Sequence, residues 1–375
     1  MSPFRAMPAE LVDLVIDHAH TDLSLLAVCS LVCKAWFPAA RHHLFSSTKL
    51  NAKNASSFAR LLNSASSSVA GFVRHIDAND SCEGGRWIDD IFPSLASLPF
   101  VTSISLTPSC DTILSQSTLS TLCTFDRLVD LKLAECEFRD FAEVQRLIVA
   151  FPMLQSLYLE ADWPEPHAIA PTEISPSSHL REVYLRCEMS HILGWFLLQP
   201  HLAPVNKLTL HGLDSIDLPV TRRYLQALGS SLTHLTILPN GSIISEQNRT
   251  TSRTIVCSPY AGTFSDCISR QIDLSLNPSL AYLKLSIDCD YAYLGMTCAL
   301  FSQITSRAFD EVELSLYSVR QGPKVASAWS DLDALLATPQ LAMVRTTISA
   351  MSAASLAKET LPLCHKRGVL QVRHQ

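Results

Sequence analysis

"LVDLKL" (residues 128 to 133) and "LQSLYL" (154 to 159) share one spacing: an apolar residue, two variable ones, an apolar one, a variable one and a last apolar one. The final two apolar positions lie two residues apart, so on an extended strand they point to the same face, and the residue between them points to the other. A single strand of this kind buries nothing alone, so its meaning depends on whether it recurs along the chain.

The same pattern is found in "VTSISL" (101 to 106), "LREVYL" (180 to 185), "VNKLTL" (205 to 210), "LTHLTI" (232 to 237), "LAYLKL" (280 to 285) and "FDEVEL" (309 to 314). Weaker copies stand at "VRHIDA" (73 to 78) and "LAMVRT" (341 to 346). From the copy at 101 onward the starting positions step by 27, 26, 26, 25, 27, 48 and 29 residues. A period of about 26 falls within the range of leucine-rich repeats, and the one double step would hide an atypical repeat.

Between the strands the periodicity becomes helical. Phe141, Val144, Ile148 and Phe151 share one face before Pro152 stops the helix. Similar segments run from Ser190 to Gln199, before Pro200, and from Thr221 to Leu228, before Gly229. Strand and helix in alternation predict an α/β solenoid with a parallel sheet inside and helices outside. Only Cys136 fills the Asn/Cys position that follows the last leucine of a well-formed repeat, so these repeats are degenerate.

The first fifty residues read differently. In "MPAELVDLVIDHAH" (7 to 20), Pro8 and Glu10 suit a helix start. The apolar residues that follow form two adjoining stripes, Leu11, Leu14 and Val15 beside Val12, Ile16 and Ala19. That is wider than one buried face requires: one stripe can pack internally, and the other needs a partner. Asp22 is placed to cap a second helix bearing Leu25, Leu26 and Val28, and Pro38 sets a boundary before a third ending at Leu44 and Phe45. Three short helices rarely hold a core alone, so docking is expected, on the repeats, on another protein or on both.

"MPAEL", the aliphatic positions of the first helix, Asp22 with "LSLLAVCSLV" (23 to 32), "VCKAW" (32 to 36) and "ARHHLF" (40 to 45) resemble an F-box, the helical module that binds a Skp-type adaptor, and in particular F-box proteins of fungi. The chain departs from that pattern at Met7, where leucine is usual, at Phe45, where tryptophan is common, and in a slightly long first linker. The resemblance implies that Pro8, Leu11, Val15, Ile16, Leu25, Leu26, Val32, Cys33 and Trp36 form or support the adaptor surface. It also implies a cullin-containing ubiquitin ligase as the assembly reached through that adaptor. The expected organisation is an F-box module at 7–50, a connecting segment at 51–72 and a repeat solenoid at 73–375. An irregular Ser/Thr-rich insertion interrupts the solenoid at 239–267.

Other function classes have little support. The 375 residues are 47% hydrophobic and 17% charged, with a net charge of -6 and no block of Lys or Arg, which speaks against nucleic acid and anionic membrane as partners. Twelve scattered cysteines without a signal peptide predict free thiols and a cytoplasmic or nuclear location. "DHAHTD" (17 to 22) suggests a metal site, but on a helix His18 and His20 are about 200° apart. Cys29 and Cys33 have helical spacing without a second ligand pair and are expected as small buried hydrophobes. No catalytic or phosphate-binding motif is found in a chain with 11 glycines, so neither an enzyme, a metal nor a cofactor is expected.

Function is then expected in surfaces. The residues between the core leucines form a column: Ser105, Lys132, Tyr158, Tyr184, Thr209, Thr236, Lys284 and Glu313. Within and beside it, Lys132, Tyr158, Glu160, Tyr184 and Arg186 are the candidates for holding a protein target whose identity the sequence does not give. The expected function is a non-catalytic substrate-recognition adaptor of a Skp-cullin-F-box ligase. The competing class is a leucine-rich-repeat scaffold or ligand receptor not coupled to ubiquitination.

Overall fold

All eight copies of the spacing become strands, and the weaker copies at 73 and 341 lead into two more. In a computed structural model the described residues are 8–64, 68–80, 87–108, 112–164, 175–239, 264–289, 291–319, 323–350 and 359–374. They belong to two compact units, Met1–His167 and Ala168–Gln375.

The first unit opens with three helices, α1 (Ala9–His18), α2 (Leu23–Val32) and α3 (Phe37–Ser46), and α3 runs without a loop into strand β1 (Ser47–Leu50). There follow α4 (Ala55–Leu62), β2 (His75–Asn79), α5 (Trp87–Leu95), β3 (Ser103–Thr107), α6 (Gln116–Leu122), β4 (Asp130–Glu137), α7 (Phe141–Val149) and β5 (Ser156–Asp162). The second unit carries β6 (Glu182–Arg186), α8 (Met189–Leu197), β7 (Lys207–Leu213), α9 (Leu218–Leu228), β8 (His234–Pro239), α10 (Phe264–Gln271) and β9 (Tyr282–Cys289). It ends with α11 (Tyr291–Ser302), β10 (Glu311–Val319), α12 (Pro323–Leu336), β11 (Arg345–Ala350), α13 (Pro362–Lys366) and β12 (Leu370–His374). The strands are all parallel, and in each unit their order across the sheet is their order along the chain.

Register explains why the spacing is so regular. Ile76, Ile104, Leu131 and Leu157 are register partners in the first unit, as are Val183, Leu208, Leu235, Leu283 and Val312 in the second, and every one of them is buried. The first apolar residue of each motif, from Val101 and Leu128 to Leu280 and Phe309, is buried ahead of its strand. Each such leucine or isoleucine removed from water contributes roughly 1.5–3 kcal/mol, and only a neighbouring repeat can supply the burial.

A backbone ladder in the turns fixes the register before the strands begin. Val129 N–H donates to Thr102 O at 2.8 Å and Gln155 N–H to Val129 O at 2.8 Å. In the second unit Asn206 donates to Arg181 O, Thr233 to Asn206 O, Ala281 to Thr233 O and Asp310 to Ala281 O, at 2.8 to 3.0 Å. The link from Ala281 to Thr233 crosses the 48-residue step, and β8 pairs directly with β9. The expected hidden repeat therefore adds no strand between them: the two flanking strands are immediate neighbours, and residues 240–263 of the expected Ser/Thr-rich insertion lie outside the described residues. Asn277, wholly buried, bridges the same gap from the helix side, its Nδ2 donating to Leu225 O at 2.9 Å and Gly229 O at 3.1 Å.

Helix ends are tied from one repeat to the next by carboxylates. Asp89 on α5 accepts from Ser115 N–H at 3.1 Å at the start of α6, and Asp333 on α12 accepts from Leu363 N–H at 2.8 Å and Cys364 N–H at 3.1 Å at the start of α13. Asp217, just before α9, accepts from Ser190 N–H at 2.9 Å in the first turn of α8. Burial, aided by the charges of Asp214 and Glu188 and opposed by the backbone N–H donors of Ser190 and Asp214, pushes the Asp217 carboxyl up to about 6.

Two outcomes follow from these contacts. Asn277→Ala removes the side-chain donor that joins Leu225 O and Gly229 O to the next repeat and is expected to cost about 1–3 kcal/mol in urea unfolding. Asp217 is raised in the folded chain, so between its ordinary value of 3.8 and about 6 the folded state holds a proton that the unfolded state has lost. Stability contributed by this group is therefore greatest below that window and falls as pH rises through it. Asp217→Asn is expected to flatten the fall in denaturation midpoint across the window, and an unaltered pH profile would contradict that assignment.

Candidate functional site

The two stripes of α1 separate in the fold. Val12, Ile16 and Ala19 turn inward and, with Leu26, Cys29 and Ala40, make a small core, against which Trp36, Ala39 and Leu44 are packed half-buried. Leu11, Leu14 and Val15 are exposed, at 50%, 54% and 45%. Helix α2 is divided in the same way: Leu26 and Cys29 are buried, whereas Leu23, Leu25, Val28, Leu31 and Val32 face solvent, Leu31 at 84%. Eight large aliphatic side chains on two short helices are thus left in water, more than singly scattered surface leucines account for.

Local chemistry shapes the scaffold under that surface. Pro8 precedes α1 in an extended conformation, and its carbonyl accepts from Leu11 and Val12 N–H. Asp22 caps α2 by accepting from Leu25 N–H at 3.0 Å, and that hydrogen bond, with Ser24, holds its carboxyl below the usual range. Both α1 and α2 pack on α3, and the end of α1 is tied to α3 by His43, whose Nε2 lies 2.7 Å from Asp17 Oδ1. That link joins residues 26 apart and has no periodic signal in the sequence.

Of the residues expected at this surface, Pro8, Leu11, Val15, Leu25, Val32 and Cys33 are exposed, Ile16 and Leu26 belong to the core beneath, and Trp36 sits half-buried at the start of α3. Cys33 lies just past the end of α2 in an extended conformation, so it is not the small buried hydrophobe expected from helical spacing; Cys29 is. Leu14, Leu23, Val28 and Leu31 were not among the expected surface residues, although their placement opposite Val12, Ile16, Leu26 and Cys29 follows from helical geometry once the core is known.

The second surface is the sheet face opposite the leucines. In the first unit Asp77, Ser105, Lys132 and Tyr158 are register partners across β2 to β5, as the spacing implies. Lys132 is exposed, with Nζ 5.0 Å from the centre of the Tyr158 ring, and the Tyr158 hydroxyl donates to Glu160 Oε2 at 3.0 Å. These three side chains form a cation, ring and anion series. In the second unit Tyr184, Thr209, Thr236, Lys284 and Glu313 are register partners across β6 to β10. The Tyr184 hydroxyl is hydrogen-bonded to His211 Nδ1 at 2.7 Å, and Arg186 is half-buried on the same strand. Tyr158 and Tyr184 thus belong to separate units, each already held by a neighbouring side chain.

Among the described residues no group of three His, Cys, Asp or Glu side chains is arranged to hold a metal ion, and no helix is long and apolar enough to cross a membrane. Gln145 on α7 is buried and so does not belong to the outer helix surface, whereas Gln116 and Gln226 are exposed there. No family model matches the chain, and no curated protein matches it.

The division of α1 and α2 into a core side and an outer side makes a direct prediction. Leu26→Ala is expected to destabilise the first unit by about 2–5 kcal/mol, whereas Leu31→Ser should change stability by less than about 0.5 kcal/mol while reducing self-association. Chemical denaturation and light scattering of the two variants measure the contrast.

Proposed function

We propose that the chain is a recognition adaptor of a ubiquitin ligase, its first three helices binding a Skp-type adaptor, and through it a cullin, while the sheet face holds a protein target. The observation that carries this reading is the row of exposed aliphatic side chains on α1 and α2, from Leu11 to Val32, over a core too small to need them. A module that spends half its apolar residues on solvent gains their burial only when a partner covers them. The resemblance of "MPAEL", "VCKAW" and "ARHHLF" to an F-box supplies the identity of that partner.

On this reading the repeats hold rather than transform. The Lys132, Tyr158 and Glu160 series and the Tyr184 and His211 pair present ordered aromatic rings with polar edges, the composition favoured in protein interfaces. Because their hydroxyls are already fixed, less side-chain freedom is lost when a target binds. Ubiquitin transfer is left to other subunits of the ligase, and the chain itself supplies no reacting group. A cytoplasmic or nuclear setting accords with this reading.

The test separates the two surfaces. Leu11→Asp with Leu31→Asp should weaken binding to a purified Skp-type adaptor by at least ~100-fold, since two carboxylates would be buried without partners, while circular dichroism stays unchanged. Cells carrying that variant should accumulate the target still bound to the chain. Tyr158→Ala and Tyr184→Ala should have the opposite effect, each lowering target recovery by roughly tenfold with adaptor binding intact, and Gln226→Ala should alter neither. A folded wild-type chain that does not bind the adaptor would overturn the proposal.

A further inference from the structure

The turns that lead into the strands of the first unit carry a row of exposed side chains. Phe100, Arg127 and Met153 each stand immediately before the buried first apolar residue of a repeat, Val101, Leu128 and Leu154, and all three are exposed. Phe100 and Met153, at 37% and 44%, leave much of their apolar surface in water. Arg74, half-buried in the turn ahead of β2, reaches the same row from the preceding repeat. Its guanidinium carbon lies 4.8 Å from the centre of the Phe100 ring, and that of Arg127 lies 5.3 Å from the same centre.

Both cations lack a counter-charge. Among the described residues neither Arg74 nor Arg127 forms an ion pair, and Arg127 makes no hydrogen bond, although Asp126 is its neighbour in sequence. Arg74 is fixed by its own turn: Nη1 donates to Gly71 O at 2.9 Å and to Val73 O at 3.0 Å, which leaves Nε and Nη2 for other acceptors. Stacking on a ring uses the flat face of a guanidinium and leaves its N–H edge able to donate. The field of Arg74 extends to the helical module, where burial, the charge of His43 and the charge of Arg74 push the His42 imidazole down against the pull of Asp17.

We propose that this edge is a binding site for an acidic peptide segment, with Arg74 and Arg127 holding its oxyanions and Phe100 and Met153 covering the peptide beside them. A guanidinium fork pairs with the oxygens of a carboxylate or of a phosphate ester, and an arginine already ordered on a ring loses less freedom when it does so. The attraction is local. At a net charge of -6 the chain as a whole repels anions, so an acidic segment is held only where cations stand without carboxylates. Nucleic acid fits this edge poorly, because it is held through many phosphates and two cations do not supply them. The site lies on the turns of the first unit, away from the sheet face of Lys132 and Tyr158, and stands whether or not the adaptor reading does.

Fluorescence anisotropy of the full chain with three labelled peptides tests the proposal: one alternating Glu and Gly, one with phosphoserine in place of Glu, and one with Gln. At least one acidic peptide is expected to bind and the Gln peptide is not, with affinity falling as salt is added. Binding of the Glu peptide shows that carboxylates suffice, and binding of the phosphoserine peptide alone assigns the site to modified segments. Arg127→Gln should lower the affinity at least ~tenfold, and Phe100→Leu, which keeps both charges and removes the ring that orders them, should lower it by a smaller factor. Arg127 touches the fold only through the Phe100 ring, so its replacement should leave the circular dichroism unchanged. Arg223→Gln, at an exposed position of α9 in the second unit, should not alter binding. No binding of either acidic peptide, full affinity in Arg127→Gln, or an equal loss in Arg127→Gln and Arg223→Gln overturns the site.

Discussion

Everything in the strands of each unit depends on the hydrogen bond that each inter-repeat turn makes to the turn before it. Val129 to Thr102, Gln155 to Val129, Asn206 to Arg181 and Thr233 to Asn206 are the same contact repeated, and each sets the next strand in register before its side chains meet. A slip of one residue would exchange Leu131 and Leu133 for Lys132 in the core, and every apolar row would fail with it. The contact is made by backbone atoms, which is why the residues at these positions, Thr102, Val129, Gln155, Arg181, Asn206 and Thr233, have nothing in common. The side chains that must be alike are the leucines on either side of it.

This distribution of constraint decides what was legible in the sequence. The strands were, because the leucine spacing is the same burial requirement met eight times, and their lateral order followed from stacking successive repeats. The column from Lys132 to Tyr158, and the one from Tyr184 to Glu313, could be written down for the same reason. The double step could not be resolved, since a missing strand and a long excursion leave the same gap in a periodicity. Only the pairing of β8 with β9 distinguishes them. Partnerships between distant side chains were equally silent: nothing local says that Tyr184 meets His211, that His43 meets Asp17, or that Asn277 spans two carbonyls 52 and 48 residues away.

The amino-terminal helices show how far amphipathic reading extends. Two stripes on α1 predicted one buried and one free face, and burial assigns Val12, Ile16 and Ala19 to the first and Leu11, Leu14 and Val15 to the second. For α2, whose residues are nearly all apolar, no stripe can be picked out in advance, and Leu25 and Leu26 went into the expected surface together although only Leu25 is exposed. The same ambiguity hid Leu31, the most exposed of the group. A uniformly apolar helix announces burial without saying how much of it is internal and how much is reserved for a partner.

The direct joining of β8 to β9 has an evolutionary side. Because Ala281 reaches Thr233 and β8 and β9 pair in register, the connection from Pro239 to Tyr282 joins neighbouring strands whatever its length. Doubling the length of such an excursion costs only ~0.6 kcal/mol of closure entropy, less than one misplaced leucine. An insertion within a strand of the second unit would shift a register row, whereas one within this connection leaves the rows as they are. The joint is therefore a position at which the chain can lengthen or shorten while the repeats on both sides go on stacking in the same register.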